Sequence, residues 1–207
     1  MKTTGKKTGR SKRRRPQQKR SRQTVEAVLD AVAEVLKRDG VTAVTTNRIA
    51  EVAGVSIGSV YQYFPDKKAI FVALHQRHIE DIDRIVQARL VENAGAPLET
   101  MIRAMVEAMV DAHKPDPALY ALMFSEVPHR VEGTRDFAVR MHGAFCLAIA
   151  SRSRGLRKGR DPDRMAFVVA HMLDALCHGA LLTRPAGLSL AEAKQEIVRA
   201  VSSYLRA

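Results

Sequence analysis

Between Thr45 and Lys67 the chain carries small, polar and aromatic side chains at spacings that suit the edges of base pairs. Gln62 could read adenine through paired hydrogen bonds, and Ile57 could touch a thymine methyl. Gly58 and Ser59 are small enough to let a backbone approach a groove, and Ser56 and Tyr63 complete the same exposed set. Tyr61 and Lys67 suit phosphate positioning. So do Thr46 and Asn47, at a helix start where hydroxyl, amide and backbone N–H groups can meet a phosphate or a base edge. The chemistry is recognition of double-stranded DNA. Nothing suggests bond-making: there is no Gly-x-Ser-x-Gly, phosphate loop or Cys-x-x-Cys pair, and no nucleophile stands with a base. An enzyme is not expected, nor a cofactor.

Two short helices must position these residues. The first runs from the threonines to about Ala53, with Ile49, Val52 and Ala53 at helical spacing for burial. Gly54 ends it, because glycine enters the left-handed backbone region without the steric cost of a Cβ. Ser56 can cap a second helix from Ile57 to Phe64, which Pro65 stops. Val55, Val60 and Phe64 should pack inward. Either Tyr61 or Tyr63 could instead complete the small core, though not both. A preceding helix from about Gln23 to Arg38 carries Val25, Val28, Leu29, Val32, Val35 and Leu36 at intervals of three and four, and Gly40 closes it. Val41 and Val44 should pack in the connecting turn.

The paired threonines, the Ile-Ala pair, Ala-Gly-Val-Ser, Gly-Ser-Val-Tyr and Tyr-Phe-Pro-Asp-Lys together resemble the DNA-binding motif of the tetracycline-repressor (TetR) family of bacterial transcription regulators. The resemblance covers roughly residues 20–73. It implies an all-α protein with an N-terminal three-helix helix-turn-helix domain over 21–66 (motif about 45–64). A C-terminal effector-binding and dimerisation bundle over 67–207 would follow. By the same resemblance the motif positions contact an operator. Asn47 stands where the family often has arginine, which puts a guanine contact there in question.

Composition agrees with helix-on-helix packing. The chain has 207 residues, 46% of them apolar, with eight methionines and no tryptophan. Its net charge of +12 is unevenly placed: residues 1–22 hold eleven Lys or Arg and no acid, leaving the rest at +1. Residues 1–20 are expected to form a basic arm, disordered in isolation because so few apolar groups cannot offset the entropy of ordering. Near DNA its cations would displace counterions and add salt-sensitive affinity; otherwise it is a solvated tail. No apolar run approaches the roughly 20 residues of a bilayer span, and the basic start lacks an apolar sequel, so a cytoplasmic protein without membrane contact is expected. Cys146 and Cys177 are most simply buried thiols.

Beyond the motif a long helix should run from Lys67 to about Val91, and the TetR resemblance gives it a linking role. After the break at Asn93–Pro97, Met101, Met105 and Met109 belong to a helix apolar around most of its circumference, which suits the middle of a bundle. Further helices are expected over about Pro117–Val127, Thr134–Arg152, Pro162–Leu182 and Ser189–Leu205. From the residues alone, Met101, Met105 and Met109 with Phe124, Met141, Phe145 and His171 are better explained as core than as a pocket. The resemblance favours a site for a small apolar ligand that releases DNA. It also implies a homodimer built from the last two helices, through Met165, Val168, Val169, Met172, Leu173 and Leu176 on one and Leu190, Ile197, Val201, Tyr204 and Leu205 on the other. An inverted-repeat operator follows from the two-fold axis. A ligand-independent architectural or partner-regulated DNA-binding protein is the alternative. Metal binding is not expected: His75 with His78, and His171 with Asp174 and His178, have suitable spacings but no further ligands.

Overall fold

The computed structural model describes residues 14–113, 117–126, 134–152, 159 and 161–206, with side chains described throughout except at 14–18, 113, 117, 123, 124 and 134. The described residues form helices α1 (Arg14–Asp39), α2 (Thr46–Val52), α3 (Ile57–Tyr63), α4 (Lys67–Glu92), α5 (Leu98–His113), α6 (Pro117–Glu126), α7 (Thr134–Ala150), α8 (Pro162–Leu182) and α9 (Leu190–Arg206). A single 3₁₀ turn spans Val41–Ala43, and no strand occurs among these residues. Two compact units divide the chain after Ile70, inside the first turn of α4.

In the first unit, α1 lays Val28, Leu29, Val32, Val35 and Leu36 into a small core that takes Ile49 and Ala50 from α2, Val60 from α3, and Phe64. Packing runs from α1 to α2 and from α2 to α3. Two expectations are corrected. Helix α1 begins nine residues before Gln23, so residues 14–20 of the expected arm are helical; residues 1–13 lie outside the described residues. Lys, Arg and Gln favour helix, and Pro16 falls in the first turn, where its missing N–H costs nothing. Val44 is buried as expected, whereas Val41 is 57% exposed. One 3₁₀ turn after the left-handed Gly40 (φ 83°) buries the valine at its end and leaves the one at its start in solvent.

Capping groups fix the short helices. Thr45 accepts a hydrogen bond from the Arg48 N–H at 3.3 Å, and Ser56 accepts one from the Ser59 N–H at 3.1 Å. Each satisfies a donor that has no partner inside its helix. Asp66, not singled out from sequence, does the same for α4 through the Ala69 N–H at 2.7 Å. Between α2 and α3 the chain turns through Gly54 at φ 67°.

The second unit is a bundle in which α8 packs against α5, α6, α7 and α9, and α5 also against α9. The helix apolar around most of its circumference is placed as its pattern requires: Ile102, Met105, Val106, Met109 and Val110 are buried, while Arg103, Glu107 and Asp111 form its exposed stripe. Asp161 caps α8 ahead of Pro162, accepting from the Asp163 N–H. Ser189 and Glu192 satisfy each other's backbone N–H at the start of α9, at 2.8 and 3.2 Å. By length and composition α8 would suffice to cross a membrane, contrary to the expectation that no segment would. Its Met165, Ala166, Val169, Leu173, Cys177 and Ala180 are instead buried in the protein core.

Gly54→Ala is expected to cost about 1–2 kcal/mol, the price of a left-handed non-glycine residue. No atom lies within 4 Å of the added Cβ, so the loss is conformational and not a clash. Gly58→Ala, in the first turn of α3 and with its added Cβ at an ordinary 3.9 Å from Ser56 Oγ, should raise stability by up to about 1 kcal/mol. Urea unfolding of the two variants checks the contrast; equal shifts would remove the role assigned to the turn.

Candidate nucleic-acid interface

With Val60 and Phe64 buried, α3 turns its opposite side outward. Ser56, Ile57, Gly58, Tyr61, Gln62 and Tyr63 are exposed, as are Asn47 on α2 and Lys67 at the start of α4; Thr46 and Ser59 are half-buried. Neither tyrosine fills the core: Tyr61 is 52% and Tyr63 37% exposed. Ser56 and Ser59 share a hydroxyl hydrogen bond of 2.8 Å, so the capping group also fixes a neighbour on the outward face. The helix is only seven residues long, yet its outward residues occupy one continuous strip of polar, small and aromatic groups.

A charged tie holds α2 to the end of α1. Arg48 Nε donates to Asp39 Oδ2 at 2.8 Å, and its Nη1 lies 2.6 Å from Glu51 Oε2. Arg38 also reaches Asp39, at 3.1 Å. The hydrogen bond from Arg48, followed by that from Arg38, holds the Asp39 carboxyl below its ordinary range, while Glu51 and then Asp39 raise the affinity of the Arg48 guanidinium for its proton. Arg48 escaped the sequence reading. Its neighbours Thr46 and Asn47 stand out because a helix start offers polar groups to a phosphate or base edge, whereas the Arg48 partner that ties α2 to α1 lies nine residues away across a turn.

In the second unit, Met105, Met109, Met141 and Phe145 converge in one apolar core with Ile82, Val86, Leu173 and Ile197. Met101 is buried outside that cluster, and the side chain of Phe124 lies outside the described residues. His171 is a correction. It is exposed, its ring lies 4.2 Å from that of Phe167, and its Nδ1 is 2.7 Å from the Phe167 carbonyl. Helical geometry explains this, since position 171 is about 200° around the helix from both Val169 and Leu173, which face the core. The expected dimer stripe divides similarly. Met165, Val169, Leu173, Ile197, Val201 and Leu205 are buried within the chain's own core, while Val168 and Met172 are half-buried and Leu176 is exposed.

Comparison with known proteins adds a decisive match. Residues 97–205 fit the family described as "Tetracyclin repressor-like, C-terminal domain", and residues 28–74 fit "Bacterial regulatory proteins, tetR family". The chain belongs to the TetR family. It is a DNA-binding transcriptional regulator of that family, with the family's helix-turn-helix and C-terminal helical domain. An uncharacterized HTH-type transcriptional regulator of Mycobacterium tuberculosis is 29% identical over 183 residues, covering 86% of this chain and 92% of the relative. The nucleoid occlusion factor SlmA of Haemophilus influenzae is 29% identical over 151 residues, covering 69% of this chain and 66% of SlmA, so the match spans just under two thirds of that relative. Among solved structures, a SmeT–triclosan complex shares the fold at a TM-score of 0.60 and 17% identity, over 87% of this chain and 90% of the other.

The Asp39 tie yields a pH-dependent prediction for this TetR-type domain. A carboxyl whose folded pKa is depressed contributes stability above its unfolded value, near about 3.9, and loses that contribution as pH falls through the folded value. Asp39→Asn should therefore lower the urea midpoint at neutral pH, and the gap from wild type should close as the pH drops below about 4. Midpoints recorded across the acid range check this. A gap independent of pH would mean that the carboxylate charge plays no part.

Proposed function

We propose that this regulator is a homodimeric repressor that binds an inverted-repeat operator through Thr46, Asn47, Ser56, Ile57, Gly58, Ser59, Tyr61, Gln62, Tyr63 and Lys67. A small apolar ligand held in the second unit would release it. The observation that carries the DNA reading is the outward strip on α3, where base-reading groups are exposed because the fully buried anchors of the helix are Val60 and Phe64, with Val55 and Ser59 half-buried. Residues 1–22, with eleven basic side chains, would add sequence-independent affinity through counterion release. Association with chromosomal DNA puts the protein in the cytoplasm.

Two observations support ligand control. Methionines gather in the core of the second unit, where their flexible thioethers adapt to varied apolar shapes. The SmeT structure with the same fold is a complex with triclosan. A ligand that fits only the DNA-incompetent arrangement would draw the dimer toward it by its differential affinity. Met105, Met109, Met141 and Phe145 are the residues assigned to the apolar part of that site, with Met101 on the same helix as the first two and Phe124 on α6.

For the dimer, the structure redirects attention from the buried stripe to residues between it and the solvent. Val168, Met172, Ala175, Leu176 and Gly179 recur along α8 at intervals of three and four, and all are half-buried or exposed. Leu176→Glu should convert the dimer to a monomer in sedimentation equilibrium and weaken operator binding by about 100-fold or more, since one protomer reads only a half-site. A variant that stays dimeric would exclude this face.

A second reading is a DNA-binding factor controlled by a protein partner or acting architecturally, without a ligand. The similarity to a nucleoid occlusion factor favours keeping it in view. Selection from random duplex DNA at near-physiological salt separates the two. The repressor reading expects one enriched inverted repeat, against which Gln62→Ala loses about 1–3 kcal/mol while its binding to unrelated DNA is unchanged. No enriched site, with affinity governed by salt alone, would favour the architectural reading.

A further inference from the structure

The outward strip of α3 carries no charge, and that limits which base pairs it can read. Helix α3, Ile57–Tyr63, has no charged side chain, and between Thr45 and Asp66 the chain holds a single basic residue, Arg48. Guanine shows the major groove two acceptors, N7 and O6, and the contact that most often specifies it is a paired hydrogen bond from an arginine or a lysine. An arginine makes such a pair along its side, with Nε and Nη2, or across its end, with Nη1 and Nη2. Arg48 has Nε on Asp39 Oδ2 at 2.8 Å and Nη1 on Glu51 Oε2 at 2.6 Å, so each of these pairs has one nitrogen already committed. Freeing it for a base would also undo the tie that holds α2 to α1.

The groups that remain exposed suit A·T pairs. Gln62 presents an amide, whose oxygen and N–H match the N6 donor and N7 acceptor of adenine. Ile57 opens α3 with an apolar side chain left 36% exposed, outside the core of the first unit. Thymine is the base that offers a methyl group to the major groove. Gly58, beside Ile57, adds no side chain that would hold the helix away from the bases. The nearest cations in sequence, Lys67 and Lys68, follow Pro65 at the start of α4, beyond the strip.

We propose that each half of the operator is read through A·T pairs, with Gln62 hydrogen-bonded to an adenine and Ile57 packed on the methyl of a thymine, and that no guanine is read from the major groove by a charged side chain. This deepens the operator reading given above and rests on it. Discrimination has two sources. Guanine in place of the adenine sets an acceptor where N6 donated, so Gln62 keeps at most one of its two hydrogen bonds and its carbonyl oxygen is left unpaired. Cytosine in place of the thymine removes the methyl and with it the apolar contact. Cations of residues 1–22 that entered the minor groove would meet only acceptors at A·T pairs, whereas guanine places a donor there.

The test selects duplexes from a random DNA pool with the full-length protein and then remakes the enriched duplex with base analogues, so that the first readout depends on no variant folding. Uracil in place of thymine removes the methyl alone, and the 7-deaza forms of adenine and guanine remove the N7 acceptor. At one thymine of a half-site, uracil is expected to weaken binding about fourfold, the worth of one buried methyl group. At one adenine, the 7-deaza form should weaken it about fivefold or more. Ile57→Ala should abolish the sensitivity to uracil alone, and Gln62→Ala the sensitivity to 7-deazaadenine alone. 7-Deazaguanine should leave binding unchanged at every position. An enriched inverted repeat that 7-deazaguanine weakens, one indifferent to uracil or to 7-deazaadenine, or a sensitivity that survives the matching variant overturns the A·T assignment and spares the operator reading. Failure to enrich any site overturns both.

Discussion

Two helices of seven residues each cannot stand alone in water, because nucleating a helix costs more than so few hydrogen bonds return. Everything on the DNA-facing surface depends on how α2 and α3 are pinned. A hydroxyl cap begins each of them, at Thr45 and Ser56, and a left-handed glycine separates them. Ile49, Ala50, Val60 and Phe64 are held by the buried stripe of α1, and Arg48 clamps the start of α2 to Asp39. So few anchors leave most of the α3 surface outside. A longer helix would commit more of its circumference to the core and expose proportionately less.

That arrangement explains why the first unit was legible in sequence. Caps, glycine turn and apolar spacing are local signals within four or five residues of what they control, and each predicts a backbone hydrogen bond or a buried face. Tyr61 and Tyr63 could not be assigned this way, since an aromatic residue beside a small core is equally suited to filling it. The structure resolves them because Val60 and Phe64 already occupy the space. The start of α1 was missed for a related reason: no apolar residue marks Arg14–Arg22, and periodicity is silent where a helix has no buried face.

The second unit was legible as helices and poorly legible as a site. Helix α5 declared its central place because between Met101 and Ala112 polar residues recur only at Arg103, Glu107 and Asp111. On α8 the sequence shows apolar residues over much of the circumference, and nothing local separates those facing the protomer core from those left near solvent. Met165, Val169 and Leu173 go inward while Val168, Met172 and Leu176 do not, a division set by which helices pack alongside. His171 and His178 illustrate the same limit. They are seven residues apart and nearly aligned on α8, yet one is exposed beside Phe167 and the other lies against Tyr120 from α6. More than forty residues separate Tyr120 from either of its histidine neighbours, so no spacing rule could join them.

The make-up of the second unit's core also bears on how much a ligand could accomplish. Moving a regulator from mostly bound to mostly released requires a ligand to prefer one arrangement by several kcal/mol, on the order of 5 for a shift from 1:99 to 99:1. Apolar contacts alone are a weak source of such preference, because a methionine-rich core can repack around a chain in more than one arrangement. Under the proposed reading the difference between states must therefore come from where the contacts sit. Met105 and Met109 lie on α5 and Met141 and Phe145 on α7, all in one apolar core, so a ligand lodged among them would favour only the arrangement that keeps those two helices at the spacing it fills.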